Sequence, residues 1–204
     1  MATKRSVGLA IPQSTVGAPM NKVLFYLKPG FRIGNYLVKK RIDSGWTAEA
    51  YLVEEVPTMA EQVLKLYELY GDRQQVKNLR DFEHYCWFVE QLSEFALLPR
   101  YYHMGHVFLK AGDGIGTYYM VQEYLRGKPF LVCDCTKEMV DVLRGKVAQI
   151  HKKRGFALGD WEPKNLLISK KSIRMVDCDY GQHDKPNKNF AADLKALDKL
   201  FPKK

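Results

Sequence analysis

At 204 residues, with 46% apolar and 12% aromatic side chains, the chain can bury one sizeable core, enough for a single body of two lobes. No apolar run approaches the length of a membrane span, and no charged, apolar, small-residue leader marks general secretory export. The net charge of +9 is local: residues 1–42 hold eight Lys/Arg and no Asp/Glu, while the remaining 162 residues hold 24 Lys/Arg against 23 Asp/Glu. A basic leader on a nearly neutral body is not the footprint of a nucleic-acid-binding domain, which gathers its charge on one folded face.

Residues 1–33 read as a basic, flexible leader, rich in small residues, Ser, Thr, Gly and Pro over 1–21, with a short strand expected at 23–27 before Pro29-Gly30. Strands are expected at 36–42, 50–54 and 62–67, the first two joined through Asp43-Ser44-Gly45-Trp46-Thr47-Ala48-Glu49. A helix is expected over 73–92, where Val76, Leu79, Phe82, Cys86 and Val89 recur at three- and four-residue spacing. Residues 107–110 and 118–123 read as a hairpin around a Gly-rich turn, so the order is three strands, a helix, two strands. Beyond Gly127, Asp134 or Thr136 can cap a helix with an apolar stripe of Met139, Leu143, Val147 and Ile150. Two short strands follow at 166–168 and 173–176, then a helix over 190–201 with Phe190, Leu194, Leu197 and Phe201 on one face and Pro202 at its end. The four cysteines, Cys86, Cys133, Cys135 and Cys178, form no CxxC pair and read as reduced thiols. Cys133-Asp134-Cys135 has no matching pair at zinc-site spacing, and His103 and His106 read as solvated connection residues.

The segment with most chemistry is Gly159-Asp160-Trp161-Glu162-Pro163-Lys164-Asn165, followed by Asp177 in Met175-Val176-Asp177-Cys178-Asp179-Tyr180-Gly181. An Asp, an Asn five residues on, and an Asp at the end of a hairpin suit phosphoryl transfer from ATP with Mg2+. Asp160 would accept the proton of the attacking hydroxyl, and Asn165 and Asp177 would hold the metal. Asp179 is the rival metal ligand, because Asp179-Tyr180-Gly181 imitates the kinase DFG more literally. Lys65, inward-facing on its strand, would pair the α/β-phosphates, held by a carboxylate of the following helix: Glu83 is preferred over Asp81 and Glu90 because it borders the apolar stripe. Ser44, Gly45, Trp46, Thr47 and Ala48 occupy the phosphate-covering turn, which keeps only the middle glycine of GxGxxG. Gln122, Glu123 and Leu125 fit a hinge, with Gln122 as gatekeeper and the Glu123 carbonyl and Leu125 amide facing the adenine edge. Lys164 could neutralise charge on the transferred group.

The Gly45-Trp46-Thr47-Ala48-Glu49-Ala50-Tyr51 stretch, Lys65, the Gly159–Asn165 loop, Asp177 and Ala192-Asp193-Leu194-Lys195-Ala196-Leu197 together resemble the small effector kinases of type III secretion systems. The chain is similar to the HopBF family, related to OspG-like effector kinases, over residues 34–204. The resemblance implies an α+β, bilobal protein-kinase-like fold: a five-stranded N-lobe with one helix (34–121), a hinge (122–126) and a truncated helical C-lobe (127–204). It implies a monomeric ATP-dependent serine/threonine protein kinase, injected into the host cytosol with residues 1–33 as secretion signal, that phosphorylates and inactivates the heat-shock protein 90 chaperone. It also implies that Asp193 braces the catalytic-loop backbone.

Several departures matter. The HRD arginine is replaced by Gly159, and only eleven residues separate Gly181 from Asp193, too few for a regulated activation segment. Glu162 stands where Ser/Thr kinases carry lysine, and Lys164 resembles, in position, the cation of some tyrosine kinases, which leaves the acceptor open. Two other readings stay open: a kinase-fold module that captures a host protein such as a ubiquitin-conjugating complex, and a small-molecule phosphotransferase.

Overall fold

The β-branched and aromatic runs that alternate apolar and polar positions form strands, as their period of two requires. A computed structural model describes residues 26–44, 48–67, 72–108, 116–131, 134–169, 172–178, 181–182, 185–186 and 188–202. The strands β1 (Arg32–Ile33), β2 (Tyr36–Ser44), β3 (Ala48–Glu55) and β4 (Ala60–Tyr67) precede helix α1 (Asp72–Leu92). Then come β5 (Tyr101–Phe108) and β6 (Gly116–Glu123), and the six form one sheet in the order β1-β2-β3-β4-β6-β5. The expected five-stranded sheet therefore gains a strand: the two-residue β1, which pairs Ile33 with Tyr36 across a tight turn. The strand expected at 23–27 falls mostly outside the described residues, and its last two, Tyr26 and Leu27, are not strand.

By compactness the chain divides into Met1–Val76 with Gly105–Tyr119, and Lys77–Met104 with Met120–Lys204, the division falling within α1, β5 and β6. In the first unit, β2, β3 and β4 are antiparallel, and β2 is bulged between Val38 and Lys40 and between Arg41 and Asp43. One face of this sheet buries Tyr51, Val53, Leu64 and Leu66. Tyr51 accepts a hydrogen bond from the Leu27 amide (3.1 Å). The buried Glu49 carboxylate on that face takes both ends of the Arg41 guanidinium, one at 3.0 Å, so its charge is matched where water is excluded.

In the second unit, β7 (Lys128–Pro129), β8 (Leu166–Ser169) and β9 (Ser172–Met175) make a small sheet beside α2 (Lys137–Arg154). Two-residue strands β10 (Gly181–Gln182) and β11 (Lys185–Pro186) and helix α3 (Phe190–Leu200) complete it. Thr136 caps α2, its hydroxyl accepting from the Met139 amide at 3.2 Å. The expected stripe Met139, Leu143, Val147 and Ile150 is buried, against Phe88, Val89 and Leu92 of α1 among others. Gly127 belongs where it stands because a Cβ there would meet the Ile168 carbonyl oxygen at 2.9 Å.

The apolar face expected of α3 is shifted. Leu197 and Phe201 are buried, but Leu194 is 49% exposed and Asp193 is 1% exposed in its stead. A carboxylate at a core position needs donors, and the segment that follows α2 supplies them.

Candidate active site

The loop between α2 and β8 starts in the core: Phe156, Ala157 and Leu158 are buried, and the chain then turns through two left-handed residues, Gly159 (φ +57°) and Asp160 (φ +46°). Gly159 adopts that conformation freely, whereas Asp160 is held in it against a steric cost on the order of 1–3 kcal/mol. The holding residue is Asp193. Its carboxylate accepts from the amides of Leu158 (2.7 Å) and Gly159 (2.8 Å) and from the Trp161 indole N–H (2.8 Å). His151 of α2 lies 2.8 Å from the same group. Asp193 thus makes the contact that the resemblance implies, and Trp161 and His151 join it. Neither was visible as a site residue, since an aromatic beside the loop and a histidine on a helix are ordinary core features.

Asn165 ends a 3-10 turn (Pro163–Asn165) and is buried. Its amide nitrogen donates to the Asp160 carboxylate (2.7 Å) and to the Asp160 carbonyl (3.1 Å). Its backbone carbonyl accepts from the Val176 amide (2.8 Å), which brings Asn165 beside the chain entering Asp177. The β8–β9 register explains this: Leu166 pairs with Met175, so the residues just outside the ladder, Asn165 and Val176, also meet. Asp177 accepts from the Tyr85 hydroxyl at 2.7 Å and from the Cys178 amide at 3.1 Å, both on one oxygen. The sequence trio Asp160, Asn165 and Asp177 is therefore one constellation.

Partial removal from water pushes the Asp160 carboxyl above its ordinary range, the Asn165 hydrogen bond opposes this, the negative charges of Glu162 and Asp177 add to it, and Lys164 works against it. Lys164 is 70% exposed and paired with Glu162 at 2.7 Å, a solvated surface contact that leaves both charges in place.

In the first unit, register puts Asp43, Ala50 and Lys65 in one row across β2, β3 and β4. Lys65 is buried, and the half-buried Ala50 and Val63 share its face, small apolar neighbours that the two-residue alternation could have flagged. Ala48 and the backbone of Ser44 bracket the turn, while Gly45, Trp46, Thr47 and Asp179 lie outside the described residues. On α1, Glu83 and Glu90 are exposed.

At the hinge segment, Gln122 and Leu125 are buried. The Glu123 side chain is engaged structurally, meeting Arg174 in a two-pronged pair (3.1 and 3.0 Å) and accepting from the Arg100 amide (3.1 Å). Burial raises its pKa, but the Arg174 and Arg100 bonds outweigh that and hold it below the usual carboxylate range.

Among the described residues, no group of three or more His, Cys, Asp and Glu gathers as a metal cluster. The donor set around Asn165 and Asp177 is of another kind, a neutral amide oxygen and a carboxylate, hard oxygens suited to Mg2+ that keeps waters and phosphate as its other ligands. With the Asn165 nitrogen committed to Asp160, its side-chain oxygen is the amide atom left for a cation. These residues fit the metal.

No protein-family model matches the chain, and no curated protein does. Among solved structures it is similar to the apo form of PpkA-294, PpkA being a bacterial serine/threonine kinase, with a TM-score of 0.57 at 15% identity. The match covers 86% of this chain and 65% of that one, so the chain spans somewhat less than two thirds of the neighbour's length. The fold is a kinase-like α+β fold. Among the described residues no helix is long and apolar enough to cross a membrane.

Proposed function

We propose that this chain is an ATP-dependent protein kinase, transferring the γ-phosphate to a hydroxyl of a protein substrate. The observation that carries the reading is the linkage of Asp160, Asn165 and Asp177 through the Asn165 amide and the Val176 amide. Asp160 receives the proton of the attacking hydroxyl, a step for which a carboxyl above its ordinary range is a better base than a free aspartate. Asn165 and Asp177 hold Mg2+, which when bound neutralises charge on the phosphates. Asp193 is a positioning residue, fixing the strained backbone that presents Asp160. Lys65 is assigned the α/β-phosphates, Ala50 and Val63 the base, and Lys164 the charge that develops on the transferred group.

For the carboxylate on α1, the exposure of Glu83 weakens that assignment. Asp81 and Glu90 are the other candidate carboxylates of that helix, and Glu90 is exposed as well. The acceptor, by resemblance to the HopBF family, is a serine or threonine of the heat-shock protein 90 chaperone, reached by type III secretion into the host cytosol. The runner-up is the binding-module reading, favoured by Glu162, which stands where Ser/Thr kinases carry lysine.

The test is incubation of purified protein with γ-labelled ATP, Mg2+ and the isolated chaperone. Wild type labels it, and Asp160→Ala loses about 10²–10⁴-fold in rate. Equal labelling by both, or none by wild type in host lysate as well, ends the kinase reading.

A further inference from the structure

The polar contact on Asp177 comes from far away in the chain. Tyr85, on the helix α1, donates its hydroxyl to the Asp177 carboxylate at 2.7 Å across 92 residues of sequence. The same oxygen accepts the Cys178 amide at 3.1 Å. Two donors converging on one carboxylate oxygen set the rotation of the group, and so the direction in which it faces a ligand.

We propose that Tyr85 is a positioning residue for cation binding, holding the Asp177 carboxylate in its metal-binding rotation; this rests on the phosphotransferase reading above. The helix that carries it is anchored, since Cys86, Phe88, Val89 and Leu92 are all buried, and the Tyr85 ring packs on the same core. The hydroxyl therefore projects from a rigid platform rather than from a loop. A phenylalanine would fill that packing position equally well, so the hydroxyl is there for the carboxylate. Its chemistry also suits a metal ligand. A lysine or arginine at this place would orient the carboxylate but cancel its charge, whereas a neutral O–H orients it and leaves the negative charge for the cation. Preorganisation of this kind improves affinity by removing the ordering cost from the binding step.

The experiment is a titration of Mn2+ with ATP into the full chain, bound metal being read by its paramagnetic resonance, alongside Mg2+ dependence of phosphate transfer. Tyr85→Phe is expected to weaken Mn2+ binding three- to tenfold and to raise the half-saturating Mg2+ by the same factor, with the rate at saturating Mg2+ changed less than twofold. Asp177→Asn should weaken metal binding more, and adding Tyr85→Phe to it should change nothing further. Unaltered metal affinity in Tyr85→Phe, or losses that add in the double variant, overturns the proposal even if Tyr85→Phe is partly destabilised. Wild type and Asp177→Asn binding the metal equally is a different result: it removes Asp177 as the metal residue and takes down the reading on which the proposal rests.

Discussion

The two units hold their candidate residues in place by different means. In the second, Asp160 is tied to Asn165, Asn165 to Val176 and Asp177 to Tyr85, and Asp193 holds the amides of Leu158 and Gly159 just before Asp160. In the first, Lys65 and Ala50 sit on regular strands and owe their placement to the register of β3 and β4. Loops have no repeating ladder to hold them, so a loop-built site needs buried polar braces, whereas a strand-built site inherits precision from its neighbours. Damage should therefore be cooperative and structural in the second unit and local in the first.

The largest expected effect breaks the brace. Asp193→Ala would leave the donors on Leu158, Gly159 and Trp161 buried without this acceptor, and should cost about 3–5 kcal/mol in denaturant unfolding. Transfer activity should fall with it, and a loss below about 1 kcal/mol would show that the loop stands by itself. Next comes a test on α1. Glu83→Ala should lower transfer by less than threefold, because Glu83 is exposed; a loss of tenfold or more would establish it as the carboxylate that holds Lys65.

A smaller, local change sharpens the other side of the comparison. Ala50→Leu adds bulk to the face of Lys65 and should raise KM for ATP about tenfold, with kcat and melting temperature nearly unchanged. An unchanged KM would remove that face from the nucleotide site. The finest effect concerns pH. The proposed reaction requires Asp160 deprotonated, and its pKa is raised, so the acid limb of kcat should lie above that of an ordinary aspartate. Glu162→Gln deletes an anion that raises it, and the limb should move to lower pH; a shift upward would contradict the assignment of Asp160 as base.

Much of the site was legible because its residue types carry their own chemistry. Asp160, Asn165 and Asp177 are recognisable by spacing, and the stripe of α2 by its helical period. The brace partners Trp161 and His151 and the Tyr85 hydroxyl were not, since their roles depend on what they face and not on local pattern. Leu194 shows the same limit from the other direction. Its apolar character predicted burial, but α3 turns Asp193 inward instead, because saturating a carboxylate with loop donors outweighs burying one more leucine.

The chain's order of residues by itself determined most of the elements, the apolar stripe of α2 and the types of side chain on offer at the candidate site, all of which follow from periods of two and 3.6 and from side-chain inventory. Tertiary structure decided which groups meet: Tyr85 with Asp177, Asp193 with the strained turn at Asp160, and Glu123 with Arg174. Such pairs are separated by tens of residues, and only the packing of α1, α3 and the β8–β9 hairpin brings their polar atoms within hydrogen-bonding distance.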